Sequence, residues 1–263
     1  MNLDCDTMDR FEHAGLEIAF LDNGRSDAPA VLLIHGFAST AHVNWVAPGW
    51  FRTLGEAGYR VVALDNRGHG ESSKPHDPDA YHPDLMASDA VALLDHLAIA
   101  EAHVMGYSMG ARISAFLAHL HPDRVRSVAF GGLGANMVDG VGNWDPIAEA
   151  LLADDPATIT DRRARMFRAF ADQTKSDRLA LAACIRTSRM LVTPDMLYSM
   201  TMPTLVAVGT RDEIAGSPHQ LAASLPAAQA IEIPDRDHML AVGDKVFKSA
   251  VLEFYATIEG ARL

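Results

Sequence analysis

The sequence is poor in cysteine and has no excess of basic residues. Its 263 residues include only Cys5 and Cys184, so neither a disulfide framework nor a zinc-type Cys/His cluster is expected. Lysine and arginine number 22 against 34 acidic residues, which gives a net charge of -12. A nucleic-acid-binding surface is therefore disfavoured, because such a surface needs many cations to displace counterions from phosphates.

Long apolar runs are also missing. No stretch approaches the roughly 18 apolar residues of a membrane-spanning helix, and the first residues, MNLDCDTMDRFEHAG, place acids where a signal peptide needs a basic start. A hydrophobic content of 49% with 21% charged residues is typical of a folded globular protein. We therefore expect a cytoplasmic protein, a monomer or homodimer, that does not bind a membrane.

Short apolar runs alternate with helical periodicity through most of the chain. The runs lie at residues 29–37, 59–68, 102–108, 125–132, 203–210 and 228–234. Runs of this kind are typical of strands buried on both faces, as in a parallel sheet. The alternation predicts an α/β fold with right-handed crossovers and helices on both faces of a mostly parallel sheet.

This alternation stops between residues 134 and 200. The segment is helical in character, and it separates two predicted strands of the sheet. We predict one core domain, formed by residues 1–133 and 201–263, with a helical cap inserted at 134–200.

A Gly-x-Ser-x-Gly frame marks the first candidate site residue. Ser108 lies between Gly106 and Gly110, where a predicted strand gives way to a helix. Glycines at these positions allow the sharp turn that exposes such a serine. Because a serine hydroxyl alone is a poor nucleophile, it needs a base and a group that orients the base.

Two later strand ends supply these partners. In open α/β sheets, ligands bind at the carboxyl ends of the strands. Asp212 follows the strand at 203–210 and His238 follows the last strand, so the chain order Ser, Asp, His is that of the elbow motif. We predict Ser108 as nucleophile, His238 as base and Asp212 as the orienting acid. Three other acids lie close enough to compete with Asp212: Glu213, Asp235 and Asp237.

Acyl transfer also requires donors for the oxyanion that forms during attack. The backbone N–H of Met109 and that of Phe37, in the loop after the first apolar run, are the predicted donors. The side chains of these two residues then remain free to line an acyl pocket. His35 is expected to brace the loop rather than to react.

Five segments together resemble the α/β-hydrolase superfamily over nearly the whole chain. They are HGF (35–37), DNRGHGESSKP (65–75), GYSMG (106–110), GTRDEIAG (209–216) and DRDHM (235–239). The resemblance implies eight strands, a mobile cap and no cofactor. It also implies a structural role for residues 65–72, with catalysis by His69 as a minor alternative. Serine at 108 disfavours haloalkane dehalogenases and epoxide hydrolases, which share the scaffold but use a carboxylate nucleophile.

Several residues bear on the substrate. Arg112 resembles an arginine of the menaquinone-pathway synthase, which eliminates pyruvate and recognises carboxylates. With the cap arginines it suggests an anion site, and the alternative is that it anchors a neighbouring loop. Met137, Trp144 and Phe167 either line an adaptable apolar pocket or belong to the core.

The leading hypothesis is a carboxylesterase-like serine hydrolase. It would cleave a small carboxylic ester, lactone or thioester through an acyl-enzyme, without metal or cofactor. One alternative keeps the triad in a lyase or a carbon–carbon bond hydrolase that acts on a carboxylate-bearing substrate. Another is a non-catalytic receptor that binds a small ligand on the same scaffold.

Overall fold

The computed structural model describes residues 7–261, and its centre is an eight-stranded sheet. The strands are β1 (Asp9–His13), β2 (Leu16–Asp22), β3 (Ala30–Ile34), β4 (Arg60–Leu64), β5 (Ala102–Tyr107), β6 (Val125–Gly131), β7 (Thr204–Gly209) and β8 (Ala228–Ile233). Their order across the sheet is β1-β2-β4-β3-β5-β6-β7-β8. β2 runs antiparallel to both of its neighbours, and all other pairs are parallel, so the predicted α/β fold with a mostly parallel sheet is confirmed.

The six predicted strands correspond to β3 through β8. The hairpin of β1 and β2 lies outside the six predicted strands. β1 buries Phe11 and leaves its other residues at least partly exposed, so it has no apolar run, whereas β2 has a buried run, Ile18 to Leu21, that the prediction does not include. The two-residue turn of the hairpin, Ala14 and Gly15, has positive φ at both positions (50° and 76°). Such a turn matches the twist of the strands that it joins.

Helices cover both faces of the sheet. The α-helices are α1 (Trp50–Glu56), α2 (Pro83–His96), α3 (Met109–Leu120), α4 (Asn136–Asp139), α5 (Asp145–Leu152), α6 (Arg162–Gln173), α7 (Arg178–Thr187), α8 (Pro194–Ser199), α9 (Pro218–Ala223) and α10 (Lys245–Gly260). Side chains of α1 and α10 pack in one apolar core, and those of α2, α3 and α9 pack in the core on the opposite face. The sheet is therefore buried between two helical layers.

Five of these helices, α4 to α8, lie between β6 and β7. Apolar side chains of α5, α6 and α7 belong to the same core as those of α2 and α3, so the inserted segment packs against that layer. Cys184 of α7 is a buried free thiol, whereas Cys5 lies outside the described residues. Among residues 7–261 no helix has the length and apolar character needed to cross a membrane.

Candidate active site

Ser108 lies at the tight turn that joins β5 to α3. Its φ of 55° and ψ of -112° are unfavourable for a residue with a side chain, and strain of this kind persists only where the surroundings enforce it. Here the enforcing contact is close packing. A methyl group at Gly106 would collide with the carbonyl of Gly110, and one at Gly110 would collide with the carbonyl of Ile34. The two glycines therefore allow α3 to lie directly against the sheet.

His238 and Asp212 complete a continuous hydrogen-bonded path to this serine. His238 Nε2 lies 3.0 Å from Ser108 Oγ, and His238 Nδ1 lies 2.7 Å from Asp212 Oδ2. Because a carboxylate only accepts, Nδ1–H donates to it and Nε2 is left to accept from the serine hydroxyl. The other carboxylate oxygen accepts from the N–H groups of Ile214 and Ala215 at 2.8 and 3.0 Å, which hold the acid in place.

Two of the competing acids have other partners. Asp235 forms an exposed ion pair with Arg211, and Asp237 accepts from the N–H groups of Met239 and Leu240. Asp212 is thus the acid that the structure brings to His238.

Tyr107, the residue before the serine, holds the histidine loop, although no feature of the sequence marks it as a site residue. Its hydroxyl donates to the backbone carbonyl of His238 at 2.6 Å, and the two rings lie 5.6 Å apart. The tyrosine therefore connects the loop of the candidate base to the strand that carries the candidate nucleophile. Its partner is a backbone oxygen 131 residues away, for which the sequence gives no signal.

The N–H groups of Phe37 and Met109 are placed to act as donors. The preceding N–H groups are already bonded: Ser108 N–H donates to Gly131 O at 2.8 Å, and Gly36 N–H donates to Asn44 Oδ1 at 3.0 Å. Within residues 7–261, neither the Phe37 nor the Met109 N–H has an acceptor in the protein. These two N–H groups therefore remain available to donate to a bound ligand.

His35 and His69 lie beneath the loop that contains Phe37. His35 donates from Nδ1 to Gly36 O at 2.8 Å and accepts at Nε2 from Asn66 N–H at 2.9 Å, so it braces the loop as a neutral ring. Burial lowers the pKa of His35 to about 4. Burial, and then the nearby His35, lower the pKa of His69 to about 3. Both rings are fully buried and lie outside the residues that line the cleft.

These buried neutral histidines predict a loss of stability in mild acid. An unfolded histidine binds a proton below about pH 6.5, whereas folded His69 does so only near pH 3, so the free energy of unfolding falls as the pH drops through this window. We expect His69→Gln to reduce the stability lost between pH 7 and pH 5 by about 2 kcal/mol, as measured by urea unfolding. Parallel pH dependences for wild type and variant would contradict this assignment.

An apolar cleft of about 170 Å³ opens above the serine. Phe37, Phe167 and Phe170 line it with aromatic rings, and we call them the aromatic wall; the rings of Phe37 and Phe167 are in edge contact at 5.7 Å. Val43, Asn44, Met239 and Val242 also line the cleft, and we call these four residues the histidine-loop wall. None of these four was singled out from the sequence as a site residue, because they lie in the short helical turns 42–46 and 241–243 or directly after His238, which are too short to show a periodic pattern.

The other predicted pocket residues occupy different positions. Phe167 lines the cleft, whereas Met137 is fully buried in the core. Trp144 does not line the cleft but contacts Phe167, with ring centroids 6.0 Å apart. Its ring also lies against the guanidinium groups of Arg163 and Arg189, which are 4.4 and 3.0 Å from the ring centroid. Of the three residues of segment 134–200 that the sequence suggests for the substrate, Phe167 is the one that lines the described cleft.

Arg112 does not line the cleft, so the structure gives no support to its interpretation as an anion ligand. The residue is 2% exposed, and its guanidinium donates to the carbonyls of Met137 and Met190 at 2.9 and 2.8 Å. Burial lowers the pKa of Arg112 to about 10. These contacts match the alternative stated from the sequence, in which Arg112 anchors neighbouring loops. Within residues 7–261 no three His, Cys, Asp or Glu side chains are grouped to hold a metal ion.

Comparison with known families agrees with the structure in three features: the tight turn at Ser108, the mostly parallel sheet and the candidate site at the carboxyl ends of its strands. The family model described as alpha/beta hydrolase fold matches residues 29–173, more than half of the chain. The chain belongs to the alpha/beta hydrolase fold family. Membership of this hydrolase family supports a hydrolytic enzyme in general and leaves the substrate open.

Relatives within the alpha/beta hydrolase fold family carry different names. A dihydrolipoyllysine-residue acetyltransferase component of an acetoin cleaving system from Pseudomonas putida is 28% identical over 87% of this chain, which spans 64% of that protein's length. A hydrolase from Pseudomonas aeruginosa PA01 is 26% identical, with a TM-score of 0.80 over 96% of this chain and 99% of its own. An enol-lactonase from Burkholderia xenovorans LB400 shares the fold at 24% identity, with a TM-score of 0.76 over 94% and 100% of the two chains.

Proposed function

We propose that this protein is a serine hydrolase that cleaves small, uncharged carboxylic esters, lactones or thioesters through an acyl-enzyme. The hydrogen-bonded path from Asp212 through His238 to Ser108, at the floor of an apolar cleft, is the observation that carries the proposal. Family membership and the structural likeness to a hydrolase from Pseudomonas aeruginosa agree with it.

In the proposed reaction, Ser108 Oγ attacks the acyl carbon while His238 Nε2 takes its proton. Asp212 keeps the imidazole oriented and stabilises its charged form. The N–H groups of Phe37 and Met109 bind the oxyanion, and each such donor typically contributes about 3 kcal/mol in the transition state. His238 then returns the proton to the departing alcohol. In the second half of the reaction, His238 takes a proton from water, which attacks the acyl carbon, and returns it to Ser108 Oγ as the carboxylic acid leaves.

The cleft favours an uncharged acyl group. No lysine or arginine lies among the described residues that line it, and its aromatic wall offers only apolar surface. Binding a carboxylate there without a partner would cost several kcal/mol. For this reason we prefer ester hydrolysis over the lyase or carbon–carbon cleavage of a carboxylate-bearing substrate.

We assign residues 134–200 the role of a cap over this cleft. Phe167 and Phe170 of α6 form two thirds of the aromatic wall, and the hydroxyl of Thr174, which follows α6, lies 3.2 Å from the carbonyl oxygen of Ala38. The proposed cap therefore contacts the loop that presents the Phe37 N–H. As proposed, the enzyme acts on a small molecule in the cytoplasm and needs no cofactor.

Turnover of 4-nitrophenyl esters of increasing acyl length tests this function. Because the cleft is small, we expect kcat/KM to be highest for acyl chains of a few carbons and to fall for long chains. A fluorophosphonate, which reacts with activated serines, should inactivate the enzyme and add its mass to the peptide that contains Ser108.

The ester and labelling measurements can also contradict the proposed function. Absence of both ester turnover and labelling of Ser108 would contradict the proposal. Tight binding of a small ligand without turnover would then support the receptor alternative, and turnover of a carboxylate-bearing substrate would support the lyase alternative.

A further inference from the structure

The orientation of the Asn44 amide follows from its neighbour. The backbone N–H of Gly36 lies 3.0 Å from the side-chain oxygen of Asn44, and an N–H group needs an acceptor. The oxygen end of the amide must therefore face Gly36, which leaves the NH₂ end turned away from this bond.

That NH₂ group is buried without an acceptor. Asn44 is 5% exposed, and among residues 7–261 its Nδ2 atom has no hydrogen-bond partner. A buried donor left unpaired costs about 1–3 kcal/mol, so a ligand oxygen that pairs with it regains this free energy. Because Asn44 also lines the cleft above Ser108, the substrate is the natural source of such an oxygen.

The position of Asn44 indicates which part of the substrate reaches it. The segment after Asn44 packs against the histidine loop: Trp50 Nε1–H donates to Val242 O at 2.6 Å, and Pro48 lies beside Gly243. Asn44 thus lies on a segment that packs against the histidine loop. Since His238 returns its proton to the departing alcohol, the alcohol must lie on the side of the histidine.

Two exposed side chains line the cleft together with Asn44. Val43 and Met239 are 39% and 40% exposed, so they can change rotamer as the alcohol portion enters. On this basis, and resting on the proposed ester hydrolysis, we infer that Asn44 binds an acceptor oxygen in the alcohol portion of the substrate. The enzyme then selects esters of alcohols that carry an ether or hydroxyl oxygen close to the ester bond.

A matched pair of substrates tests this specificity. The 2-methoxyethyl and n-butyl esters of butanoic acid have alcohol portions of equal length and differ by one oxygen in place of a methylene. We expect wild type to favour the methoxyethyl ester about fivefold in kcat/KM, after each value is divided by the rate of alkaline hydrolysis of the same ester. This correction removes the difference between the two leaving groups.

Two variants separate binding from loop support. Asn44→Ala removes both ends of the amide, whereas Asn44→Asp keeps an oxygen for the Gly36 N–H and removes the NH₂ donor. We expect the corrected preference to fall to about one or below in both variants, while His42→Ala, at an exposed residue in the same turn, keeps it. The ratio is insensitive to a merely structural loss, because slower turnover from a disturbed loop affects both esters alike.

The outcomes distinguish this inference from the proposed function. A preference that Asn44→Asp retains, or its absence in wild type, would overturn the role of Asn44 even if 4-nitrophenyl butanoate is still hydrolysed. If that ester is not hydrolysed either, the proposed function itself fails. Equal slowing of both esters in the two variants would assign Asn44 to loop support and would likewise overturn the inference.

Discussion

Replacing Ser108 with alanine is expected to lower kcat for 4-nitrophenyl butanoate by about four to six orders of magnitude. The substitution removes the atom that lies 3.0 Å from His238 Nε2, and without it no acyl-enzyme can form. Donors for the oxyanion and the apolar cleft remain, so a small residual rate above that of water is expected. Steady-state kinetics on both proteins, prepared in parallel, measures the effect.

Ser114→Ala provides the matched control. Ser114 lies on the same helix, where its hydroxyl is buried and donates to the carbonyl of Gly110 at 2.8 Å. It does not line the described cleft, so its loss should leave kcat close to the wild-type value. If Ser108→Ala kept a rate similar to that of Ser114→Ala, the serine would not be the nucleophile.

Gly110→Ala is expected to destabilise the fold by more than about 4 kcal/mol, a large part of the 5–15 kcal/mol typical of a domain. An added methyl group would collide with the backbone carbonyls of Ile34 and His35, at the end of β3. Those atoms cannot yield without separating α3 from the sheet. Although alanine favours helices by about 1 kcal/mol over glycine, the collision outweighs this gain. Thermal unfolding should show a midpoint lowered by about 10 °C or more.

Gly260→Ala tests whether steric contact is the cause. Gly260 is the last residue of α10, and a methyl group there would meet no atom within 4 Å. We expect this variant to be as stable as wild type or slightly more stable, by up to about 1 kcal/mol. A similar midpoint for the two glycine variants would refute the packing argument.

The sequence predicts the parallel strands well because a strand buried on both faces must be apolar along its whole length. Val31 to Ile34, with no exposed side chain, is the clearest case. The β1–β2 hairpin lies at the edge of the sheet, so β1 needs only Phe11 to be buried and leaves no comparable pattern. A strand that buries a single residue therefore leaves a weaker trace in the sequence than a strand buried on both faces.

The candidate site is predictable to a different extent for each residue. Ser108, Asp212 and His238 each follow a strand, and strand ends meet at one edge of a parallel sheet, so local pattern and chain order suffice to propose them. Tyr107 and Asn44 form hydrogen bonds with the backbone of His238 and of Gly36, and no pattern of residue types reveals such contacts. Arg112 is a third case. An arginine near a site can bind either an anionic ligand or the backbone carbonyls of a loop, and the sequence does not distinguish these two roles.

The contact between Ser108 and His238 joins residues 130 positions apart, and this distance along the chain has a consequence for biosynthesis. The ribosome makes the serine long before the histidine, and the last two strands must pair before the two side chains meet. Closing so long a loop is among the slower events of folding. In the proposed mechanism, the nascent chain therefore carries an unactivated serine from residue 108 until β7 and β8 have joined the sheet.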